Sequence, residues 1–334
     1  MLERVGLALL TFADASLADM VELGRTAESL GYARTYTTES LTDTLALDLA
    51  IALGTTTMLV GSFVALASLR HPSITAQAAV VISDLSRGRF ILGLGPGHAM
   101  RNRALGAPPQ QSVAALRGYA EQVLGVLGGR GREVYPALPD QRYQGRRLEF
   151  RTPLQPVPVH LSAVGPRMAE MAGEIADGVM LYLTPRRGIA EVRAAVGRGA
   201  ATGGRPAGAV EVSLGVHAFV DLDEDRARSA ARDSLSYWVG LDAYNASIRR
   251  AGFEAEARAL RGAFLTGDQA LLRSSISDAL IDEFCLVGSP ARCREGLQAL
   301  LEAGADFVSV MPDPVQPWEP YADAVRRTLL ELVP

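Results

Sequence analysis

A regular alternation of short apolar stretches with helical segments constrains the fold of this chain more than any other feature. Eight stretches have the length and apolar character of strands that are buried on both faces. They are residues 4–10, 33–39, 57–66, 89–95, 157–164, 177–184, 210–220 and 306–312. Strands that alternate with helices pair in parallel, and eight strand–helix units close naturally into a ring. We therefore predict an α/β fold, a (β/α)8 TIM barrel, with an open doubly wound sheet as the alternative.

The segment after the third predicted strand shows how one helix begins and which side it is expected to bury. His71 and Pro72 mark the helix start, because proline is favoured in the first turn of a helix. Four apolar residues recur at helical spacing after it: Ile74, Ala78, Val81 and Leu85. This spacing predicts that the four side chains form the inner face of the helix.

The length of the chain leaves room for insertions into a barrel. The chain has 334 residues, whereas a barrel of this kind takes about 250. We interpret residues 1–334 as one domain in which residues 129–156 and 222–284 are inserted. The larger insertion follows the seventh strand, so it should lie over the carboxyl face of the barrel, where active sites lie. It is either a wall or lid of the site or a helical decoration.

Charge and composition exclude several classes of function. The formal net charge is −4, which indicates neither a nucleic acid nor an anionic membrane as a partner. The chain contains no lysine, which excludes a Schiff-base lysine and a P-loop lysine. Its two cysteines are too few for a disulfide framework or a cysteine zinc site, and we predict no metal site. The sequence shows no signal peptide or membrane span, so we expect a cytoplasmic protein.

A glycine-rich loop, Gly93-Leu94-Gly95-Pro96-Gly97, follows the fourth predicted strand. A dinucleotide-binding fingerprint would lie in the first strand–helix turn and would carry glycine where this chain has His98. Glycines allow a sharp turn and leave open space above the end of a strand. We therefore interpret this loop as the floor of a site.

Two ionisable side chains follow strands at the carboxyl end of the predicted barrel. His98 comes directly after the glycine loop, and Glu39 ends the second strand. An imidazole can act as an acid, a base or a hydrogen-bond donor near neutral pH, and a carboxylate at this end of a barrel strand is typical of catalysis. His98 and Glu39 are therefore candidate catalytic residues. The alternatives are a histidine bonded to neighbouring backbone and a capping or surface carboxylate.

The segment from Ser162 to Arg167, with the sequence SAVGPR, is the best candidate for a phosphate site. It follows the fifth strand and opens a helix at Gly165 and Pro166. Unpaired amides and the helix dipole favour an anion at such a position, and glycine permits its close approach. An ordinary glycine turn is the alternative.

Four segments match a known family in their order and spacing. They are SLRHPSITAQAAVVISDLSRGR (68–89), RFILGLGPGH (89–98), HLSAVGPRMAEMAGEIADGVML (160–181) and VGSPARCREGLQALLEAGADFVSV (287–310). Together they resemble the luciferase-like monooxygenase family, and within it the class that uses the deazaflavin coenzyme F420. The resemblance implies a (β/α)8 barrel that binds the deazaflavin, or alternatively FMN, at its carboxyl face.

The resemblance also implies roles for individual residues. The cofactor phosphate is expected at Ala163, Val164, Gly165 and Pro166. A non-proline cis peptide is expected behind the cofactor ring at Phe63–Val64, with Ser62 adjacent. The remaining residues expected near the cofactor are Glu39, Gly95 and His98, and His98 is also expected close to the substrate.

The function that the resemblance implies is hydride transfer between F420 and a small organic substrate. The first alternative is an FMN-dependent monooxygenase that works with a flavin reductase, and the second is a non-catalytic flavin-binding protein. Relatives that act on sugar phosphates carry histidine after the acid of the second strand and use lysines for the substrate phosphate. This chain has Ser40 and no lysine, which argues against a sugar-phosphate substrate. A homodimer is expected, as is common in the family.

Two pairs of residues have open interpretations. Arg101 and Arg103 either meet the negative tail of F420 or are solvated surface residues. Tyr237 and Trp238 in the larger insertion either line the substrate pocket or pack in a core.

Overall fold

Eight parallel strands close into a barrel in the computed structural model, which describes residues 2–11, 14–40, 42–107 and 112–333. The barrel strands are β1 (Val5–Leu9), β2 (Arg34–Thr37), β3 (Leu59–Ser62), β4 (Phe90–Gly95), β5 (Val159–Ala163), β6 (Gly178–Tyr182), β7 (Glu211–Val220) and β8 (Phe307–Pro312). Each strand pairs in parallel with the next. Strand β8 then pairs with β1, with Val308 opposite Val5. The predicted barrel is confirmed, and the open sheet is wrong.

Helices surround the barrel and fill the connections between its strands. Within the described ranges they are α1 (Leu17–Ser29), α2 (Thr44–Gly54), α3 (Pro72–Leu85), α4 (Ala99–Ala104), α5 (Val113–Leu127), α6 (Gly131–Val134), α7 (Pro166–Ile175), α8 (Ile189–Thr202), α9 (Glu224–Ser236), α10 (Asp242–Arg250), α11 (Glu254–Thr266), α12 (Gln269–Ser274), α13 (Asp278–Phe284), α14 (Pro290–Glu302) and α15 (Tyr321–Leu332). Short strands lie at Ala65–Leu66, Arg142–Tyr143, Arg146–Arg147 and Cys285–Gly288, and 3-10 turns at Leu2–Arg4 and Arg186–Gly188. None of the described helices combines the length and the apolar surface that crossing a lipid bilayer requires.

Apolar side chains pack on both sides of the barrel strands. Leu7, Val60 and Leu92 belong to the core between the strands and the helices. A second core fills the inside of the barrel and consists of Ala8, Tyr36, Phe63, Ile91, Met180, Phe307 and Met311. Because both faces of each strand are covered, the strands are nearly continuous apolar runs, which explains why they are visible in the sequence.

The face of α3 that packs on the barrel is not the face that the spacing predicted. Ile74, Val81 and Leu85 lie at the surface, with 63%, 45% and 55% of their area exposed. Of the four predicted residues, Ala78 is partly buried and packs against the core. The buried positions are Pro72, Thr75, Ala76, Ala79, Val80, Ile82 and Ser83. Apolar residues occur on both sides of this helix, so periodicity alone does not separate them. Tertiary packing therefore decides which side of the helix is buried.

The larger predicted insertion forms helices α9 to α13, which have a core of their own. Leu183, which follows β6, and Phe219 in β7 are members of that core. The insertion therefore packs onto the barrel near the carboxyl ends of these two strands. The smaller predicted insertion contains α6 and the short antiparallel pair of residues 142–143 and 146–147, which are exposed.

Gly199→Ala is expected to destabilise the fold, whereas Gly197→Ala on the same helix is not. A Cβ at position 199 would lie 1.8 Å from the carbonyl oxygen of Glu170, because α7 and α8 pack with their backbones in close approach. At position 197 a Cβ would meet no described atom within 4 Å. In urea unfolding, we expect Gly199→Ala to lower the free energy of unfolding by about 1–3 kcal/mol. Gly197→Ala should raise it by up to about 1 kcal/mol. Equal stability of the two variants would contradict this packing.

Candidate active site

The carboxyl ends of the strands meet at one rim of the barrel, because all eight strands run in the same direction. Glu39 follows β2, His98 follows β4 and Gly165 follows β5. The fold therefore places the residues that the sequence singled out on the same rim. The active sites of barrels of this type lie at this rim.

The floor of the rim lies between β3 and β4. The peptide bond Phe63–Val64 is cis, as the family resemblance implied. Position 95 requires glycine, because a Cβ there would lie 2.4 Å from Val64 Cγ2 and 2.7 Å from Ser162 Oγ. The buried Ser62 hydroxyl donates to the Gly93 carbonyl at 2.9 Å and accepts from the Gly93 amide at 3.0 Å. Ser62 thus joins the two strands from within, and the glycine loop allows close packing at the rim.

Glu39 is buried and anchors the segment that follows β3. Its carboxylate accepts hydrogen bonds from the Leu66 amide at 2.6 Å and from the Arg70 guanidinium at 2.5 Å. Arg70 also pairs with Asp43 at 2.8 Å. The carboxylate therefore ties the end of β2 to the segment that carries the cis peptide. A catalytic role of Glu39 stays a prediction.

A second buried carboxyl group lies below this ion pair, and the sequence analysis did not single it out. Asp48 on α2 accepts a hydrogen bond from the Thr37 hydroxyl at 2.7 Å. Its other carboxyl oxygen has no hydrogen-bond partner among the described residues. Burial raises the pKa of Asp48 well above its ordinary value. Asp48 therefore keeps its proton, and the carboxylates that pair with Arg70 are those of Glu39 and Asp43.

His98 lies beneath the insertion and contacts its aromatic rings. The ring centroid of His98 is 5.2 Å from that of Trp238 and 5.7 Å from that of Tyr244. Burial, with a smaller contribution from Arg101, lowers the pKa of His98 to about 4. The imidazole is therefore neutral at neutral pH. The insertion therefore borders the rim. Trp238 contacts His98 and also packs against the core of the insertion, whereas Tyr237 is exposed.

The structure adds three residues that the sequence analysis did not single out. Tyr182 ends β6, His217 lies in β7 and Asp313 follows β8. The Tyr182 hydroxyl lies 2.7 Å from Nε2 of His217, and Nδ1 of His217 lies 2.5 Å from the Asp313 carboxylate. The sequence signal that could have found them is a polar side chain near the carboxyl end of an otherwise apolar strand.

The helix that follows β5 begins at the rim without a side-chain cap. Gly165 is the N-cap of α7, and no side chain of the described residues caps that helix. A Cβ on Gly165 would meet no described atom within 4 Å, so the backbone faces open space. Arg250 of the insertion donates to the Val164 carbonyl at 2.9 Å and brings a positive charge to this loop. Such a helix start is suited to an anion such as a phosphate.

Arg101 and Arg103 differ in their surroundings. Arg103 is exposed, whereas Arg101 is partly buried and its Nε has no hydrogen-bond partner in the described part of the chain. The charge of Arg101 lowers the pKa of both His98 and Tyr244, which places it beside the aromatic wall. Arg101 is therefore the better placed of the two to meet an anion at the rim.

The described residues contain no group of three or more His, Cys, Asp or Glu side chains that could hold a metal ion. Cys285 and Cys293 are buried free thiols. Burial raises the pKa of Cys293 to about 12, and it also raises that of Cys285. Neither thiol is activated as a nucleophile.

Comparison with known proteins identifies the family of this chain. The family model of the luciferase-like monooxygenases matches residues 3–306. A 5,10-methylenetetrahydromethanopterin reductase from Methanolobus tindarius is 28% identical to this chain over 269 residues, which cover 80% of this chain and 81% of that protein.

Two solved structures show the same fold. The coenzyme F420-dependent tetrahydromethanopterin reductase from Methanopyrus kandleri aligns with a TM-score of 0.77 at 21% identity, over 99% of this chain and 100% of that one. The oxygenating constituent of 3,6-diketocamphane monooxygenase from Pseudomonas putida, in complex with FMN, aligns with a TM-score of 0.65 at 14% identity, over 98% of this chain and 97% of that one.

His98→Phe is expected to make the fold less sensitive to acid, while its ring keeps contact with Trp238 and Tyr244. The pKa of His98 is about 4 in the folded protein and about 6.5 in the unfolded chain. Between these values the unfolded state binds more protons, so stability falls as the pH falls. We expect His98 to account for about 1–2 kcal/mol of the stability lost between pH 7 and pH 5.

Urea unfolding of the wild type and His98→Phe at pH 7 and pH 5 measures this difference. Burial also lowers the pKa of His160 to about 4, and both proteins keep that contribution. The same loss of stability in both proteins would show that His98 is not held neutral.

Proposed function

The chain belongs to the luciferase-like monooxygenase family, and from this premise we propose that it is an oxidoreductase that uses coenzyme F420 to move a hydride to or from a small organic substrate. The related reductase from Methanolobus tindarius supports this proposal, as does the fold shared with an F420-dependent reductase. The observation that carries it is the open, uncapped helix start at Gly165, on the same rim as His98 and the Phe63–Val64 peptide.

The residues of the rim fit such a cofactor. Its phosphate would be held at the start of α7 by the backbone of Ala163, Val164 and Gly165, with Arg250 alongside. Pro166 occupies the first helical position, where a missing N–H costs no helical hydrogen bond.

The ring of the cofactor would rest on the floor made by Phe63–Val64 and Gly95. Ser62 and Glu39 would hold that floor from behind, through the hydrogen bonds to Gly93, Leu66 and Arg70.

Bound F420 supplies a carbon that exchanges hydride and reacts poorly with oxygen. The chain itself positions the reactants and shields them from water. Trp238 and Tyr244 cover the rim beside His98. Because the pKa of His98 is about 4, His98 meets the substrate as a neutral imidazole that can donate or accept a hydrogen bond.

An FMN-dependent monooxygenase is the second candidate function. The shared fold of an FMN-containing monooxygenase favours it, and FMN carries the same phosphate. This function would require a flavin reductase as a partner. A non-catalytic flavin-binding protein would bind a cofactor without turning over any substrate.

Purified protein is expected to bind oxidised or reduced F420 more tightly than FMN or FMNH2. F420 extends beyond its phosphate to glutamate carboxylates that FMN lacks, and Arg101 and Arg250 would attract them. Equilibrium titration followed by absorbance and fluorescence measures the four affinities. Tight binding of FMN alone would replace the proposed function with the monooxygenase.

Gly165→Ala serves as the test of the phosphate position in the same titration. Its Cβ would enter the open space at the start of α7 without meeting a described atom, so the fold should keep its stability. We expect the affinity for F420 to fall at least tenfold, while the control Gly197→Ala binds like the wild type. An unchanged affinity would remove the phosphate from this loop.

We further infer that two copies of the chain form a homodimer through the exposed face of α3. Ile74, Val81 and Leu85 lie there, and exposed Leu154 is held beside this helix by a hydrogen bond from its amide to Asp84 at 2.8 Å. Clustered exposed apolar residues are typical of a surface that another protein chain covers in the assembly.

Sedimentation velocity is expected to give twice the mass of the chain. Ile74→Asp should give the monomer, whereas Leu222→Asp, at another exposed leucine, should not. A monomeric wild type would contradict the dimer.

A further inference from the structure

A chain of hydrogen bonds crosses the ends of three neighbouring strands. It runs from the Tyr182 hydroxyl to Nε2 of His217 over 2.7 Å, and from Nδ1 of His217 to the Asp313 carboxylate over 2.5 Å. Strand pairing brings the three together, because β7 lies between β6 and β8 in the barrel. Residues 182, 217 and 313 are far apart in the sequence, so local geometry does not require them to meet.

The Tyr182 end of this chain is the end that faces the site. His217 and Asp313 are only 2% and 7% exposed, whereas Tyr182 keeps partial exposure. The Tyr182 ring is 5.4 Å from Trp238 and 5.8 Å from Tyr244, the same two rings that His98 contacts. A substrate beside His98 would therefore lie next to the Tyr182 ring, and it could reach the two buried members only through Tyr182.

The partners determine the direction of the hydrogen bonds. A carboxylate accepts hydrogen bonds, so Asp313 holds the proton of His217 on Nδ1. Nε2 is then an acceptor, and the Tyr182 hydroxyl donates to it. Burial raises the pKa of Tyr182 well above its ordinary value, so its hydroxyl keeps its proton at neutral pH. The phenolic oxygen still has lone pairs for a hydrogen bond from a bound substrate.

We propose that Tyr182 is the residue that exchanges a proton with the substrate, and that His217 and Asp313 are positioning residues that store this proton. The proposal rests on the proposed hydride transfer. As an alcohol carbon gives up its hydride, with two electrons, to the deazaflavin, the alcohol O–H bond breaks and a C=O bond forms. The alcohol proton passes to the oxygen of Tyr182, and the proton of Tyr182 passes to Nε2 of His217. Asp313 stabilises the resulting imidazolium, and reduction of a carbonyl reverses each transfer.

The two candidate catalytic residues from the sequence, Glu39 and His98, are less suited to this task. The Glu39 carboxylate is occupied by Arg70 and the Leu66 amide. The His98 ring contacts aromatic rings, and among the described residues no side chain hydrogen-bonds to it and could take up a proton. The Tyr182–His217–Asp313 chain, by contrast, ends in a buried carboxylate, which can stabilise the extra positive charge.

The first test is kinetic and uses the F420-loaded protein with propan-2-ol, cyclohexanol and, in the reverse direction with reduced F420, acetone as probes. For any probe that the wild type turns over, we expect Tyr182→Phe to lower kcat roughly 100-fold, the range of lost general acid–base catalysis. His217→Asn and Asp313→Asn should lower kcat at least tenfold with little change in KM. The affinity for F420 should stay within twofold in all three variants.

Tyr32→Phe is the matched control. This substitution also removes a buried hydroxyl, which donates a hydrogen bond of 2.9 Å to the Leu329 carbonyl. Tyr32 lies away from the rim, so the variant should keep the kcat of the wild type. If Tyr182→Phe loses no more activity than Tyr32→Phe, Tyr182 does not transfer the proton. A wild type that binds F420 but turns over none of the three probes would also overturn the relay. A wild type that does not bind F420 would overturn the proposed function itself.

The second test needs neither substrate nor cofactor. The 15N and 1H resonances of the histidine rings report which nitrogen carries the proton. We expect His217 to carry it on Nδ1, and we expect Tyr182→Phe to shift the Nε2 resonance while the Nδ1 proton remains. Asp313→Asn should change the position of the proton. A wild-type His217 that is protonated on Nε2 would overturn the relay, because it could not accept a proton from Tyr182.

Discussion

Hydrogen bonding between β8 and β1 is the constraint on which the rest of the structure depends. The pairing around Val308 and Val5 joins the last strand to the first, so the barrel has no open edge and its strand ends share one rim. Tyr36, Phe63 and Met180 fill the interior. The barrel is therefore a solid support rather than a pore, and chemistry is confined to residues at or beyond the strand ends.

The helices inserted after β7 change the physical character of that rim. Trp238 and Tyr244 cover His98 and Tyr182, and this burial favours the neutral forms of both side chains. The buried charge of Glu39 has a fixed partner, because its carboxylate forms an ion pair with Arg70. Hydrogen bonds are stronger in such buried surroundings, and a buried polar group without a partner is unfavourable. The chemistry of this rim is therefore expected to depend on hydrogen-bonded pairs of residues.

Much of the fold and part of the site could be predicted from the sequence. The strands are visible because burial on both faces makes them apolar throughout. His98 and Gly165 stand directly after predicted strands, and a parallel barrel places all such positions on one rim. The cis peptide at Phe63–Val64 followed from the family resemblance and not from the local residues. For α3 the predicted face was wrong, because apolar residues occur on both sides of the helix and their spacing does not show which side is buried.

The sequence by itself thus determined the strands, the helices between them and the glycine-started helix at Gly165, since these depend on patterns that span a few residues. It favoured a closed barrel and left an open sheet as the alternative, which the pairing of β8 with β1 excludes. Only the tertiary structure decided that the insertion borders the rim and that the Glu39 carboxylate is paired with Arg70. It also decided that Tyr182, His217 and Asp313 form one chain of hydrogen bonds. The physical reason is distance along the chain. A side chain acquires its partner, its burial and its pKa from strands and helices that are far away in sequence, and tertiary packing sets which of them become neighbours.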